Sequence, residues 1–234
     1  MDEINSSIMK LNLFTLGNSN VGKTCFIYKY VHNKFKSQYT STIGYDFLSK
    51  NIILPSGQNI KLVFYDTAGQ ERFKSMAMNL LKNADGILLL YDITSIETFN
   101  AIKGWVESII EIKGNNFPIV LIGNKCDLEE KRKITKDEGE KEAENNGFLF
   151  FETSCKDNIN IEESINAIVS MIANEKSQIQ YDKNESQVLE KKKIKKQKKN
   201  VIAKNVFILY NSIILFLFFI IIYKSLYINN VFKR

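Results

Sequence analysis

Eight consecutive residues, Gly17-Asn18-Ser19-Asn20-Val21-Gly22-Lys23-Thr24, have the types and spacing of a phosphate-cradling loop. Glycines at 17 and 22 let the backbone curl so that successive N–H groups face one anion. A helix beginning here adds the positive end of its dipole. The Lys23 ammonium reaches β- and γ-phosphates, and the Thr24 hydroxyl is a hard oxygen ligand for Mg²⁺. The flanks suit this chemistry, with a strand-like run before the loop and a helix-like stretch, Cys25–Val31, after it. The loop alone does not separate ATP from GTP.

Two further clusters sit at the ends of strand-like runs. Asp66-Thr67-Ala68-Gly69-Gln70-Glu71 follows Ile60–Tyr65. Asp66 is placed for a second Mg²⁺ contact, made through water. Gly69 lets a backbone N–H approach a γ-phosphate, and the Gln70 amide, both donor and acceptor, can orient an attacking water. Asn124-Lys125-Cys126-Asp127 follows Pro118–Ile122, and Ser154-Cys155-Lys156 follows Phe148–Phe151. The Asp127 carboxylate can accept from guanine N1–H and its amino group together, a pair that adenine does not offer. The 154–156 segment can close the other side of the base. Each cluster alone passes for a polar loop. Their ordered occurrence at strand ends fits a ligand site of an open α/β sheet, which lies beyond the carboxyl ends of its strands.

The positioning elements follow from hydropathy. Leu11–Leu16, Ile60–Tyr65, Gly86–Tyr91, Pro118–Ile122 and Phe148–Phe151 are near-continuous apolar runs, as strands buried on both faces require. Helix-length stretches separate most of them, which predicts a parallel α/β sheet. Phe47–Leu54 and Ile60–Tyr65 are joined only by Pro55-Ser56-Gly57-Gln58-Asn59, so a hairpin and one antiparallel edge strand are expected. A last helix is expected to open at Asn160 with Glu163 as capping-box partner. It would bury Ile161, Ile165, Ile168, Val169 and Ile172 on one face.

With these motifs in order, residues 8–175 resemble a small GTPase of the Ras superfamily, specifically the Rab family. The resemblance rests on Gly17–Thr24, Ser41–Phe47, Asp66–Phe73, Asn124–Asp127 and Glu152–Lys156. It implies a P-loop NTPase domain: a six-stranded, mostly parallel sheet with one antiparallel edge strand and helices on both faces. It implies GTP/GDP and Mg²⁺ as ligands and a switch in vesicle traffic. Thr42 would meet Mg²⁺ and the γ-phosphate in the GTP state, Phe35 would pack on guanine, and the Cys155 N–H would meet the base oxygen. The stems of Lys125 and Lys156 would cover the ring faces. Segments of about 35–47 and 66–79 would order around the γ-phosphate and relax after hydrolysis. Gln70, Lys23, Thr42 and Gly69 would carry catalysis; Thr24, Thr42 and Asp66 would hold the metal. The loop residues 17–24 and Cys25 would complete the nucleotide contacts. Effectors would bind through Ile43, Phe47, Tyr65 and the 70–80 region, and an exchange factor and an activating protein are implied as partners. No arginine finger stands at a motif position, so slow intrinsic hydrolysis is expected. Family members usually carry Trp at the place of Tyr65 and a Tyr-Tyr-Arg-Gly-Ala run at Leu80–Ala84, so the aromatic effector triad would here read Phe47, Tyr65, Leu80.

Composition sharpens the rest. At 44% hydrophobic and 25% charged the chain is an ordinary globular mix, and its three cysteines exclude a disulfide scaffold. The polar N-terminus has no secretory apolar run, and Asp2 excludes N-myristoylation. The net charge of +6 hides a division: residues 1–174 hold 19 basic and 22 acidic residues (−3), and residues 175–234 hold 13 and 4 (+9). The −3 body argues against a nucleic-acid partner; the tail is the membrane-facing part. Residues 176–204 read as a Lys-rich linker, with seven Lys between Lys191 and Lys199. Residues 205–223 carry no charge and fourteen Val, Ile, Leu or Phe; as a helix they would span about 28 Å, close to a bilayer core. The tail has no cysteine, so prenylation of the sequence as written is excluded. Two readings stay open: a tail anchor holding the domain on the cytosolic face of an endomembrane, or translated AT-rich intron sequence in place of a lipidated end. Besides the switch, a nucleotide-locked membrane scaffold and an ATP-using P-loop enzyme remain as alternatives. His32 is expected at the surface and Trp105 in packing.

Overall fold

The computed structural model describes residues 9–35, 45–54, 57–67 and 74–176, with 193 and 197 as isolated positions, the side chains of 74–77 excepted. The chain divides into two units, Met1–Glu175 and Lys176–Arg234. The elements below belong to the first. Among the described residues no helix is long and apolar enough to cross a membrane. The 205–223 segment lies outside them, as do Thr42, Ile43, Gly69 and Gln70.

Six strands form one sheet: β1 (Met9–Leu16), β2 (Tyr45–Ile53), β3 (Asn59–Thr67), β4 (Gly86–Asp92), β5 (Ile119–Asn124) and β6 (Leu149–Thr153). Their spatial order is β2-β3-β1-β4-β5-β6. Only β2 and β3 pair antiparallel, across the expected hairpin, where Gly57 N–H donates to Leu54 O at 2.8 Å. β1 is central, pairing parallel with both β3 and β4. The five runs expected as strands are strands, and β4 and β5 are buried throughout because helices cover both faces.

Alternation along the strands feeds two cores. Leu11, Leu13, Phe64, Leu88, Leu90, Val120 and Ile122 point to one face. There they meet α1 (Lys23–His32) and α6, which runs from residue 161 to the end of the unit. Ile161, Ile165, Ile168, Val169 and Ile172 of α6 are all buried, as the periodicity required. Phe14, Leu16, Ile87, Leu89, Tyr91 and Leu121 point to the other face. That face carries Leu81 of α2 (Lys74–Leu81), α4 (Ile102–Lys113) and Ala143 of α5 (Lys136–Asn146), after a short α3 (Ile96–Asn100).

One capping expectation fails and another motif takes its place. Asn160 stands at the head of α6 with φ 52° rather than in extended backbone, and its Nδ2 donates to Glu152 O at 2.8 Å. The residue therefore ties α6 to β6, and the Asn160–Glu163 box does not form. The box in this fold is Thr135-Lys136-Asp137-Glu138: Glu138 N–H donates to Thr135 Oγ1, and Thr135 N–H donates to Glu138 Oε2 at 2.8 Å. Thr135→Ala should therefore lower unfolding free energy by about 1 kcal/mol. Glu163→Ala should change it by less than about 0.5 kcal/mol, as a surface substitution does. Urea titration of both variants checks the pair.

Candidate functional site

Every motif with described residues falls at the carboxyl ends of β1, β3, β5 and β6. The loop after β1 is held in backbone that glycine tolerates: Gly17 has φ 130° and Gly22 φ 99°, with Asn20 at φ 64° between them. Helix α1 starts directly after Gly22, and Phe26 N–H closes its first turn on Gly22 O at 2.9 Å. Val21 is fully buried and anchors the loop in the core.

Lys23 is almost wholly buried, with its ammonium donating to Gly17 O at 2.9 Å and to Asn18 O at 2.8 Å. Burial lowers its pKa to about 8, with the nearby Asp66 carboxylate pulling the other way. The loop thus curls around a cation that is already inside it. The Thr24 hydroxyl donates to Asp66 Oδ2 at 2.7 Å, so the two oxygens singled out for Mg²⁺ converge although they lie 42 residues apart. A hydroxyl and a carboxylate at that spacing are the hard oxygen donors an Mg²⁺ ion needs, so the residues fit the metal. Two further bonds fix the neighbouring strand ends: Thr67 Oγ1 donates to Thr15 O at 2.7 Å, and Thr15 Oγ1 donates to Tyr65 O at 3.2 Å.

The base-side loops are joined to the phosphate side by Asn124. Its side chain is buried; Nδ2 donates to Val21 O at 2.7 Å, and Oδ1 accepts from Thr153 Oγ1 at 3.0 Å and from Cys155 Sγ at 3.7 Å. Asp127 Oδ1 accepts from Ser154 Oγ at 2.7 Å, so the carboxylate chosen for guanine is oriented by the loop after β6. Lys125 stands at φ 70° and its ammonium pairs with Asp92 at 2.6 Å, which holds the stem in place. Lys156 is exposed, and burial pushes the Cys155 thiol up to about 12, so it sits there as a neutral group. Phe35 is 47% exposed.

Several supporting residues escaped the motif reading. Arg132 binds both oxygens of Glu152, the Nη2–Oε2 bond at 3.0 Å, and also Glu129 and the Ile134 carbonyl. It braces the strand that delivers Thr153 and Ser154. Trp105, expected only in packing, also donates its indole N–H to Asn18 Oδ1 at 2.8 Å. Asp92 has no signal in its own segment, since its partner Lys125 comes from a distant loop, and Thr153 stood within a motif stretch but without a role of its own. Of the expected effector residues, Phe47 is 64% exposed on edge strand β2, whereas Tyr65 stacks on Phe14 with ring centroids 4.3 Å apart.

Residues 12–174 match the sequence model of the Ras family. The cattle protein Ras-related protein Rab-3C is 41% identical over 166 residues, which cover 71% of this chain and 73% of that protein. Ras-related protein Rab-13 of Mesocricetus auratus is 43% identical over 156 residues, 67% of this chain and 76% of the relative. Human Ras-related protein Rab-3A is 39% identical over 166 residues, 71% and 75%.

Gly22 tests how the two halves of the site meet. A Cβ there would collide with the Asn124 amide, in backbone that disfavours L side chains. Gly57 has similar φ, 82°, but open space around it. Gly57→Ala should cost about 1 kcal/mol, the backbone share alone. Gly22→Ala should cost about 2 kcal/mol or more, since packing strain is added. Parallel thermal melts give the comparison.

Proposed function

Because the chain belongs to the Ras family, and within it to the Rab-type small GTPases, we propose that the strand-end loops described above are its nucleotide site, with the residue roles set out below. The protein binds guanine nucleotide with Mg²⁺, hydrolyses GTP to GDP and phosphate, and acts as a Rab-type switch in vesicle trafficking.

The observation that carries the assignment of roles is the convergence of Lys23, Thr24 and Asp66 at one end of the sheet, with Asp127 and Ser154 held beside them through Asn124. The Lys23 ammonium, steadied by two loop carbonyls, turns its remaining donor to the β- and γ-phosphate oxygens, and loop N–H groups and the α1 dipole share the remaining charge. Thr24 and Asp66 hold Mg²⁺, with Thr42 joining them in the GTP state. Bound there, the metal neutralises charge building on the phosphate oxygens. Gln70 orients the attacking water and the Gly69 N–H meets the γ-phosphate. Asp127, steadied by Ser154, accepts both guanine donors. The Cys155 N–H meets the base oxygen, and Phe35 and the stems of Lys125 and Lys156 enclose the ring.

Effectors bind the GTP form through Ile43, Phe47, Tyr65 and the 70–80 segment. The support is the exposed Phe47 on an edge strand; the stacking of Tyr65 on Phe14 limits how much of its ring a partner can cover. An exchange factor and an activating protein drive the cycle. The +9 tail holds the domain at the cytosolic face of an endomembrane, because Lys near an anionic leaflet contributes about 1 kcal/mol each.

Gln70→Leu should bind GTP as wild type does but hydrolyse it about tenfold more slowly, or slower still. Single-turnover phosphate release from GTP-loaded protein measures this. Unchanged turnover would remove Gln70 from its role. Wild-type protein alone should stay far below the roughly 5–20 per second reached with an activating protein.

A further inference from the structure

Trp105 is the only tryptophan of the chain, and it comes from α4, an element that supplies no motif residue. It is 5% exposed, and indole has a single polar function, a donor. That donor is directed at the phosphate loop: Nε1 donates to Asn18 Oδ1 at 2.8 Å, across 87 residues of sequence. The Asn18 backbone carbonyl in turn accepts from the Lys23 ammonium at 2.8 Å. One residue is therefore gripped from both sides, by the helix through its side chain and by the phosphate-binding lysine through its backbone.

The surroundings make this bond matter. Asn18, Ser19 and Asn20 border an open cleft of about 330 Å³, shared with Ser95 and Thr98 at the start of α3. Val21 and Asn124 anchor the far end of the loop, and the Trp105 bond holds the Asn18 end beside this cleft. Trp105 itself is locked, because Ile102, Val106 and Ile109 of the same helix are buried in the second core with it. Helix α4 also lies against α2, which belongs to the 70–80 segment. The chain of contacts runs from α2 through α4 and Trp105 to Asn18 and Lys23.

We propose that Trp105 is a positioning residue for the phosphate loop: through Asn18 it fixes the carbonyl that holds Lys23, so the packing of α4 sets how long nucleotide is retained. The proposal rests on the nucleotide-site reading above. It also makes the indole an internal reporter of the loop, since all tryptophan emission arises at this position.

The test uses the full chain loaded with a fluorescent GDP analogue, together with Trp105→Phe, Asn18→Ala and the double variant. Phe keeps a buried aromatic ring but removes the donor together with part of the ring volume, whereas Asn18→Ala removes the acceptor and leaves the packing of α4 intact. Each single variant should release the analogue about fivefold faster, the consequence of one lost hydrogen bond. The double variant should release it no faster than either single one, because both remove the same interaction. Tryptophan emission should differ between the GDP form and a non-hydrolysable GTP form, and that difference should collapse in Asn18→Ala. Release rates within twofold of wild type in both single variants would overturn the proposal, as would strictly additive effects. If Trp105→Phe does not fold, Asn18→Ala decides: emission and release like wild type overturn it. Wild-type protein that retains no guanine nucleotide would overturn the nucleotide-site reading as well, whereas failure of the variants alone overturns only the role of Trp105.

Discussion

The site depends on one buried carboxamide. Asn124 donates to the phosphate-loop carbonyl of Val21 and accepts from Thr153, the last residue of β6, and from Cys155 beyond it. A buried amide left without partners would cost several kcal/mol, so its bonds constrain both loops together. Gly22 is the counterpart of that constraint: the Asn124 amide occupies the space where any Cβ at 22 would stand. The motif spacing of the first loop is therefore a packing requirement of the second as well as a phosphate requirement.

The sheet turns this local constraint into a complete site. β1 is flanked by β3 and β4, so the phosphate loop emerges at the centre, and Asp66 and Asp92 arrive on neighbouring strand ends. Asp66 then meets Thr24, and Asp92 meets Lys125. The burial that lowers the Lys23 pKa is a consequence of the same geometry, because the loop closes on the ammonium with carbonyls rather than with water. In the proposed reading an incoming phosphate would supply what those carbonyls provide only in part, a full negative charge for a desolvated cation.

Strands were legible in the sequence because burial on both faces leaves an uninterrupted apolar run, and β4 and β5 are the clearest cases. The position of the motif loops at strand ends was legible because each motif is local, a few residues of fixed type directly after an apolar run. What escaped was non-local or depended on backbone angle. Asn160 matches a helix cap by type, but its positive φ turns the amide toward β6. Thr135 and Glu138 carried a readable box signal, in a helix too polar to attract attention. The bond from Trp105 to Asn18 joins a core residue to a loop residue and has no signature in either segment. The role of Arg132 is equally invisible, since a surface-type residue there braces Glu152.

The opposed charges of the two parts fit the same picture. A body at −3 needs positive charge at the site only locally, at Lys23 and backbone N–H groups, and in the proposed reading the +9 tail would supply the attraction to an anionic surface. The central claim is that phosphate-side and base-side loops form one guanine-selective, Mg²⁺-dependent site. Titration calorimetry of the full chain, freed of nucleotide, with GDP·Mg²⁺ and with ADP·Mg²⁺ tests it most directly. The account predicts one GDP per chain, bound at least about a thousandfold more tightly than ADP, since a site built to pair with polar groups of its ligand rejects one that leaves them unpaired. Comparable affinities for the two nucleotides would contradict it.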